Sequence, residues 1–308
     1  MHSSNIFCRS PYENVIIPPV KFYLIFLLLL IPSLSAADSI VGGEITYVIR
    51  DGDSLSLIAA RLGTRADIIA GRNHVDPKKP IHPGQKLFVN TRKIVPKLLD
   101  NGIVVNIPDR MLYFFQNGKL EFYFPVGLGK APKKGSRNWS TPLGKFTVLS
   151  KEKNPTWYVP ESIQEEMEAE GKPVKTVVPP GPDNPLGRFA VKISFRGIMI
   201  HETIAPATVS QYRSHGCIRV LPEHIELFFD KVEINTPGEL IYKVVKAAVS
   251  DEGRIFLEVH KDIYGKGIDL IDETLLIIDQ LGVTEKVNWE KVESMLKEKS
   301  GIAEDITL

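Results

Sequence analysis

The chain has 308 residues, 43% of them hydrophobic and 24% charged, with 38 Lys and Arg against 37 Asp and Glu. That is ordinary globular material, enough for two or three packed units. The near-cancelling charge argues against the broad phosphate-neutralising surface of a nucleic-acid binder and favours an electrostatically neutral partner.

The first 37 residues have their own composition. Arg9 and Lys21 precede an apolar run from Phe22 to Ile31, which gives way to Pro32-Ser-Leu-Ser-Ala-Ala37. A charged flank, about ten apolar residues and a small-residue exit predict an export signal over residues 1–37, cleaved after Ala37. The run is short for a spanning helix, which needs about 20 residues, so a membrane contact is expected only if the signal stays uncleaved. Losing Arg9, Lys21 and Glu13 leaves the exported chain formally neutral. Of the two cysteines, Cys8 lies in the export segment, so Cys217 is left without an intramolecular partner in a compartment that oxidises thiol pairs.

Residues 38–93 read as a compact βααβ module. Tyr47-Val-Ile and Leu87-Phe-Val are strand-like, Asp53 or Ser54 can cap a first helix, Asp67-Ile-Ile-Ala lies in a second, and Pro83-Gly84 turns into the last strand. Tyr47-Val-Ile, Gly52-Asp-Ser-Leu, Ile58-Ala, Asn73 and Ile81-His-Pro-Gly-Gln-Lys-Leu together resemble a LysM domain. The resemblance implies binding to N-acetylglucosamine-containing glycan, typically peptidoglycan. Taken singly, each of these residues serves a small fold equally well. Thr91-Arg-Lys-Ile-Val-Pro-Lys97 reads as a short polar bridge.

From Gly102 onward, closely spaced β-branched and aromatic runs predict strands over 103–107, 111–115, 120–124, 145–149 and 188–193, with turns at Asp109-Arg and Asn117-Gly. Glu161 to Glu170 is the one plainly helical stretch. Residues 97–246 are therefore expected to form a mainly β domain. Beyond them, 247–308 should be an α+β extension, with a strand near 253–259 and amphipathic helices near 271–281 and 287–299. No chemistry is assigned to that extension; it is expected to pack on the preceding domain or restrict its cleft.

The chemistry concentrates in Ile198-Met-Ile-His201 and Ser214-His-Gly-Cys-Ile-Arg-Val220. An apolar strand delivering His201 and a tight turn at Gly216 presenting Cys217 can unite imidazole and thiol, the pairing that nucleophilic cysteine catalysis needs. Gly216 also lets backbone N–H groups face an incoming carbonyl oxygen. His201 with Ser214-His-Gly-Cys-Ile-Arg resembles the signature of the L,D-transpeptidase catalytic domain, of YkuD-type β-sandwich or barrel fold. Thr141-Pro-Leu-Gly-Lys-Phe, Asn154-Pro-Thr-Trp157 and Gly181-Pro-Asp-Asn-Pro-Leu-Gly187 agree.

The resemblance implies a cysteine-dependent acyltransferase that needs no cofactor or metal. Cys217 would attack the L,D-amide of a peptidoglycan stem peptide, with His201 as its base. Ser214, His215, Gly216 and Arg219 would shape the oxyanion and substrate subsites. The acyl group would pass to a peptide amine, forming 3-3 cross-links, or to a wall-attached lipoprotein, in a Gram-negative periplasm. The family often has glycine after its histidine; here Glu202 follows His201, a carboxylate expected at the cleft edge where it would alter acceptor preference. For His215 and Arg219, a loop-shaping role and a structural ion pair are equal alternatives. Trp157 and Tyr158 fit either a groove or a core. Three other functions remain open: a metal site of His201, His215, Cys217 and His224, an L,D-carboxypeptidase, and a non-catalytic LysM wall-binding protein.

Overall fold

The computed structural model describes residues 39–308; the predicted export segment and Cys8 lie outside them. In chain order, β1 (Ile40–Val41), β2 (Glu44–Val48), α1 (Leu55–Leu62), α2 (Ala66–Arg72) and β3 (Lys86–Asn90) make up the N-terminal module, followed by β4 (Lys93–Ile94). As expected, β2 and β3 pair antiparallel around two helices. Ser54 supplies the first cap, accepting from Leu57 N at 3.2 Å. Asp53 is occupied elsewhere, by Tyr47 Oη at 2.7 Å and Arg61 Nη1 at 2.6 Å. Asn73 ties α2 to β3 by accepting from Phe88 N at 2.7 Å and donating to Phe88 O at 2.9 Å.

The next strands are β5 (Gly102–Asn106), β6 (Met111–Gln116), β7 (Lys119–Gly129) and β8 (Gly144–Lys153). A short ribbon, β9 (Trp157–Tyr158) and β10 (Val177–Val178), flanks α3 (Glu161–Ala169). Then come β11 (Phe189–Ile193), β12 (Met199–Glu202), β13 (Tyr212–Ser214), β14 (Ile218–Val220), α4 (Pro222–Lys231) and β15 (Pro237–Ile241). Eight of these strands close into a barrel in the order β7-β14-β12-β11-β8-β15-β5-β6 and back to β7, so no edge is left open. All neighbours are antiparallel except β12–β14 and β15–β5.

Alternation explains the core. Ile103 and Val105 with Leu112 and Phe114 point into the barrel, where Ile225, Phe228 and Phe229 of α4 join them. Val104, Met111, Tyr113 and Phe115 face the other way, into a second cluster with Val95. Burial on both faces is why these two strands read as unbroken apolar runs.

After β15 come β16 (Val245–Val249), β17 (Ile255–Val259), α5 (Leu270–Gln280), α6 (Trp289–Glu298) and β18 (Glu304–Asp305). The three strands form an antiparallel sheet. Val245, Leu257 and Val259 on one face pack against Ile278 of α5 and Val292 and Met295 of α6. The opposite face carries Lys246 directly across from Glu258.

That face corrects the expectation of a polar bridge at 91–97. Lys93, Ile94 and Val95 are buried, and β4 pairs with β1. Ile94 N donates to Glu258 Oε2 at 2.6 Å, and Lys246 Nζ donates to Ile94 O at 2.6 Å and Asp109 Oδ2 at 2.7 Å. Lys93 Nζ lies 3.8 Å from Glu258 Oε1, and His260 Nε2 is 2.6 Å from that same oxygen. Burial alone would raise the Glu258 carboxyl, but Lys246, Lys93 and His260 overcome it and hold the group far below the ordinary carboxylate range. A buried charge needs such partners, so this network fastens segment 93–95, the barrel and the C-terminal sheet together. The N-terminal module also packs directly on the barrel: Ala60 of α1 shares a buried cluster with Val209 and Leu221, and Gly63 sits against Met111.

Candidate active site

Strand register brings thiol and imidazole to one side of the barrel wall. On the parallel pair β12–β14, Ile200 is opposite Ile218 and His201 opposite Arg219. Ile200, Ile218 and Val220 point into the core, so the intervening Met199, His201, Cys217 and Arg219 share the outer face. His201, Cys217 and Arg219 all line one cleft of about 820 Å³.

Ser214 builds the turn that presents Cys217. Its Oγ donates to Cys217 O at 2.6 Å and accepts from Gly216 N at 3.2 Å. Gly216 adopts φ +108°, and a Cβ there would lie 2.8 Å from Ile198 Cδ1, so glycine is required on both conformational and steric grounds. The Gly216 N–H is thus already engaged by Ser214.

Thr141 supports the turn from below, donating from Oγ1 to Gly216 O at 2.9 Å and accepting from Gly129 N at 2.9 Å. Behind it stands Tyr264, from the loop after β17. Its hydroxyl donates to Gly129 O at 2.8 Å and accepts from Thr141 N at 3.1 Å. Thus the C-terminal extension packs on the preceding domain, as expected, and through Tyr264 it also contributes to the framework of the site, a role no chemistry in its sequence indicated.

The His201 ring is oriented by its own neighbour: Nδ1 lies 2.6 Å from Glu202 O. A carbonyl only accepts, so Nδ1 carries the proton and Nε2 carries the lone pair. Burial, with repulsion from Arg219, lowers His201 to about 4 even though the Glu202 carbonyl favours the protonated ring. Burial likewise pushes the Cys217 thiol up, against the opposing pull of the Met199 backbone and Arg219. Near neutral pH both partners are therefore uncharged, the resting state for general-base activation rather than a preformed thiolate–imidazolium pair.

The Glu202 side chain is not at the cleft edge. It is buried on the opposite side of β12 from His201, accepting from Arg188 N at 2.7 Å and Arg188 Nε at 3.1 Å, and its Cβ packs on Gly187. The expectation that it would tune an acceptor is corrected by this packing.

His215 is held in a charged cluster, with Nε2 2.5 Å from Glu166 of α3 and 3.3 Å from Lys130 Nζ, and its ring edge-on to Trp139. Burial and Lys130 lower its pKa while Glu166 opposes them. Helix α3 buries none of its residues and lies along the cleft through Ile163, Glu166 and Met167. Arg137 anchors it by pairing with Glu165 at 2.9 Å and donating to Ser162 O at 3.1 Å. Sequence reasoning missed Lys130, Trp139 and Glu166; only the isolated helix hinted at this wall.

Arg219 has no carboxylate within ion-pair distance among the described residues; it donates to Thr208 Oγ1 at 3.3 Å. Trp157 and Tyr158 both line the cleft, Tyr158 with 74% exposure. The four-residue metal alternative does not assemble, because His224 stacks on Phe124 with ring centroids 5.2 Å apart, away from the cleft. Among the described residues, the one trio with metal-ligand spacing is Asp109, Glu258 and His260, and the Lys246 ammonium already occupies it.

A model of the L,D-transpeptidase catalytic domain (YkuD) matches residues 100–245, and a LysM domain model matches residues 47–90. The probable L,D-transpeptidase ErfK/SrfK of Salmonella typhimurium is 32% identical over 73% of this chain and 72% of its own. The probable L,D-transpeptidase YbiS of Escherichia coli is 34% identical, with the match spanning 58% of this chain and 57% of that protein. Among solved structures, the catalytic domain of the E. faecium L,D-transpeptidase is 23% identical over 46% of this chain and 97% of that one, with a TM-score of 0.34. The chain belongs to the L,D-transpeptidase family, with a LysM domain ahead of the catalytic domain.

Proposed function

We propose that this protein transfers peptidoglycan stem-peptide acyl groups through a Cys217 thioester. The observation that carries the reading is the neutral, Nδ1-protonated His201, fixed on the Glu202 carbonyl in the same cleft as the unpaired Cys217 thiol. As Cys217 Sγ bonds to the carbonyl carbon of the L,D-amide, its proton passes to His201 Nε2. With Gly216 N–H engaged by Ser214, the Cys217 N–H is the donor for the developing oxyanion. Collapse breaks the C–N bond, and His201 returns the proton to the departing amine of the terminal D-residue. An acceptor amine then attacks the thioester, gives its proton to His201, and the Cys217 thiolate leaves and is reprotonated.

Arg219, free of carboxylate partners, binds a substrate carboxylate. The LysM domain supplies glycan affinity. The acceptor is a stem-peptide amine of a neighbouring strand. The site of action is the periplasm, reached by an export signal at residues 1–37, a reading supported by the basic flank and apolar run of the sequence.

Intact-mass spectrometry of the full chain with tetrapeptide-stem muropeptides tests the reading. The expected result is an acyl adduct absent from Cys217→Ala that passes to an acceptor peptide as a cross-linked dimer. An adduct lost only to water makes the protein a carboxypeptidase. No adduct with any donor defeats the catalytic reading and leaves wall binding.

A further inference from the structure

Formal neutrality conceals a local imbalance. A second pocket, of about 700 Å³, opens where the N-terminal module, the barrel and the C-terminal extension meet. Its volume falls within the roughly 300–1,000 Å³ typical of ligand sites. Arg65 of the module, Arg110, Lys130, Lys133 and Arg213 of the barrel domain, and Lys261 and Lys299 of the extension line it, and no carboxylate does.

Two of these cations are neutralised, Arg65 by Asp67 and Lys130 by Glu166. Among the described residues, Arg110, Lys133, Arg213, Lys261 and Lys299 form no ion pair. So many unpaired cations around one concavity repel each other, which favours an anionic occupant. Two polar atoms at the pocket point the same way, because Arg110 Nε and Ser210 Oγ are buried with no hydrogen-bond partner. The Arg110 guanidinium is held ready by Tyr212, 5.1 Å from its ring centroid and 3.2 Å from its hydroxyl.

The pocket also adjoins the catalytic cleft. Lys130, in its wall, is 3.3 Å from His215 Nε2 and 3.2 Å from Glu166 Oε1, and both of those residues line the cleft. We propose that this pocket is a second binding site for a carboxylate-rich peptide: the stem of the acceptor strand, held while its amine reaches the acyl group on Cys217. The proposal rests on the transpeptidase reading for the identity of the peptide. A stem peptide carries several carboxylates, and a site built from Lys and Arg on three separate units selects a ligand that presents charge at more than one point.

The test uses the full chain and a disaccharide-tripeptide, which has no L,D-amide left to cleave. The perturbation is the triple charge reversal Lys133→Glu, Lys261→Glu and Lys299→Glu, all away from the thiol and imidazole. The expected result is a loss of tripeptide affinity of about tenfold or more, a comparable loss when the tripeptide carboxyls are amidated, and steep weakening with salt. The rate of Cys217 acylation by a tetrapeptide donor should stay within twofold. A Lys→Gln version at the same positions, with a thermal unfolding midpoint matched to the parent, should show a smaller loss of the same sign.

Tripeptide affinity unchanged by the reversal overturns the proposal. So does inorganic pyrophosphate binding the pocket more tightly than the tripeptide, which would assign it to phosphates. The two readings fail separately: absence of any acyl adduct defeats the catalytic one, while tripeptide binding to Cys217→Ala still reports on the pocket.

Discussion

Lys246 is the residue whose loss should be felt most widely. Its ammonium touches Asp109 Oδ2 at 2.7 Å, Glu258 Oε2 at 3.0 Å and Ile94 O at 2.6 Å, with every group out of contact with water. In Lys246→Met the volume is nearly kept, but Asp109 and Glu258 lose the ammonium between them, and the nearest permanent cation left is Lys93, 3.8 Å from Glu258, with His260 and the Ile94 amide as the carboxylate's remaining partners. Breaking a buried pair from one side costs about 3–5 kcal/mol, because the remaining charge keeps its desolvation penalty. For a chain of this size that lowers the thermal midpoint by about 10 °C.

The pH dependence has a definite sign. In the parent, Glu258 is pulled below its unfolded value, so its stabilising share is present above the ordinary carboxylate pKa and is lost as pH falls toward the folded value. In the variant the same carboxyl, now without its ammonium, is raised, so the penalty is greatest at neutral pH and fades as the group protonates. Urea unfolding at pH 7 and pH 4 therefore checks both parts: a gap of several kcal/mol at pH 7 should narrow at pH 4. A variant within about 1 kcal/mol of the parent at pH 7, or a gap that widens on acidification, would refute the argument that the network is a paired-charge fastening.

Four further outcomes follow from the site. Alkylation of Cys217 by iodoacetamide, which needs the thiolate, should climb with pH past the ordinary thiol range with no plateau between pH 5 and 7, and a plateau there would indicate a preformed ion pair. Acyl transfer from a peptide donor should lose its acid limb only near pH 4, where His201 protonates, as read from a pH–rate profile. Tyr264→Phe strands Thr141 N–H and Gly129 C=O in a buried setting, which should cost about 1–3 kcal/mol in urea unfolding and slow Cys217 acylation, whereas a purely peripheral extension would leave both unchanged. Gly216→Ala forces a Cβ at φ +108° against Ile198 and should cut acylation by about tenfold or more with far-UV circular dichroism unaltered.

Much of this architecture was legible because local pattern and environment agreed. The β-branched and aromatic runs around Ile103 and Leu112, the capped helix after Ser54 and the amphipathic repeats at 270–280 and 289–298 each needed only neighbours a few residues away. His201 and Cys217 were legible for a different reason: the strand and the glycine turn that present them are encoded beside them. What escaped depends on partners far along the chain. Lys93 in Arg-Lys-Ile looks like solvent-facing charge until Glu258, from another sheet, is placed against it. Glu202 looked like a cleft carboxylate, since nothing local reveals that Gly187 leaves room for its side chain and Arg188 pairs with it. Tyr264 bears no signal, because its role is to hold Thr141, more than a hundred positions earlier.

The buried strand at Lys93 and Ile94 bears on how such chains can be taken apart and recombined. A cut just before the barrel would remove the backbone amide that Glu258 accepts from and the cation beside it, exposing an apolar, acid-bearing surface that water cannot fully solvate. Grafting a different carbohydrate-binding cassette onto this barrel thus means carrying β4 along with the barrel, and keeping Asp109, Lys246 and Glu258 as its matching socket. The natural unit of exchange begins after the cassette's last strand, at Asn90, and not at the barrel's first.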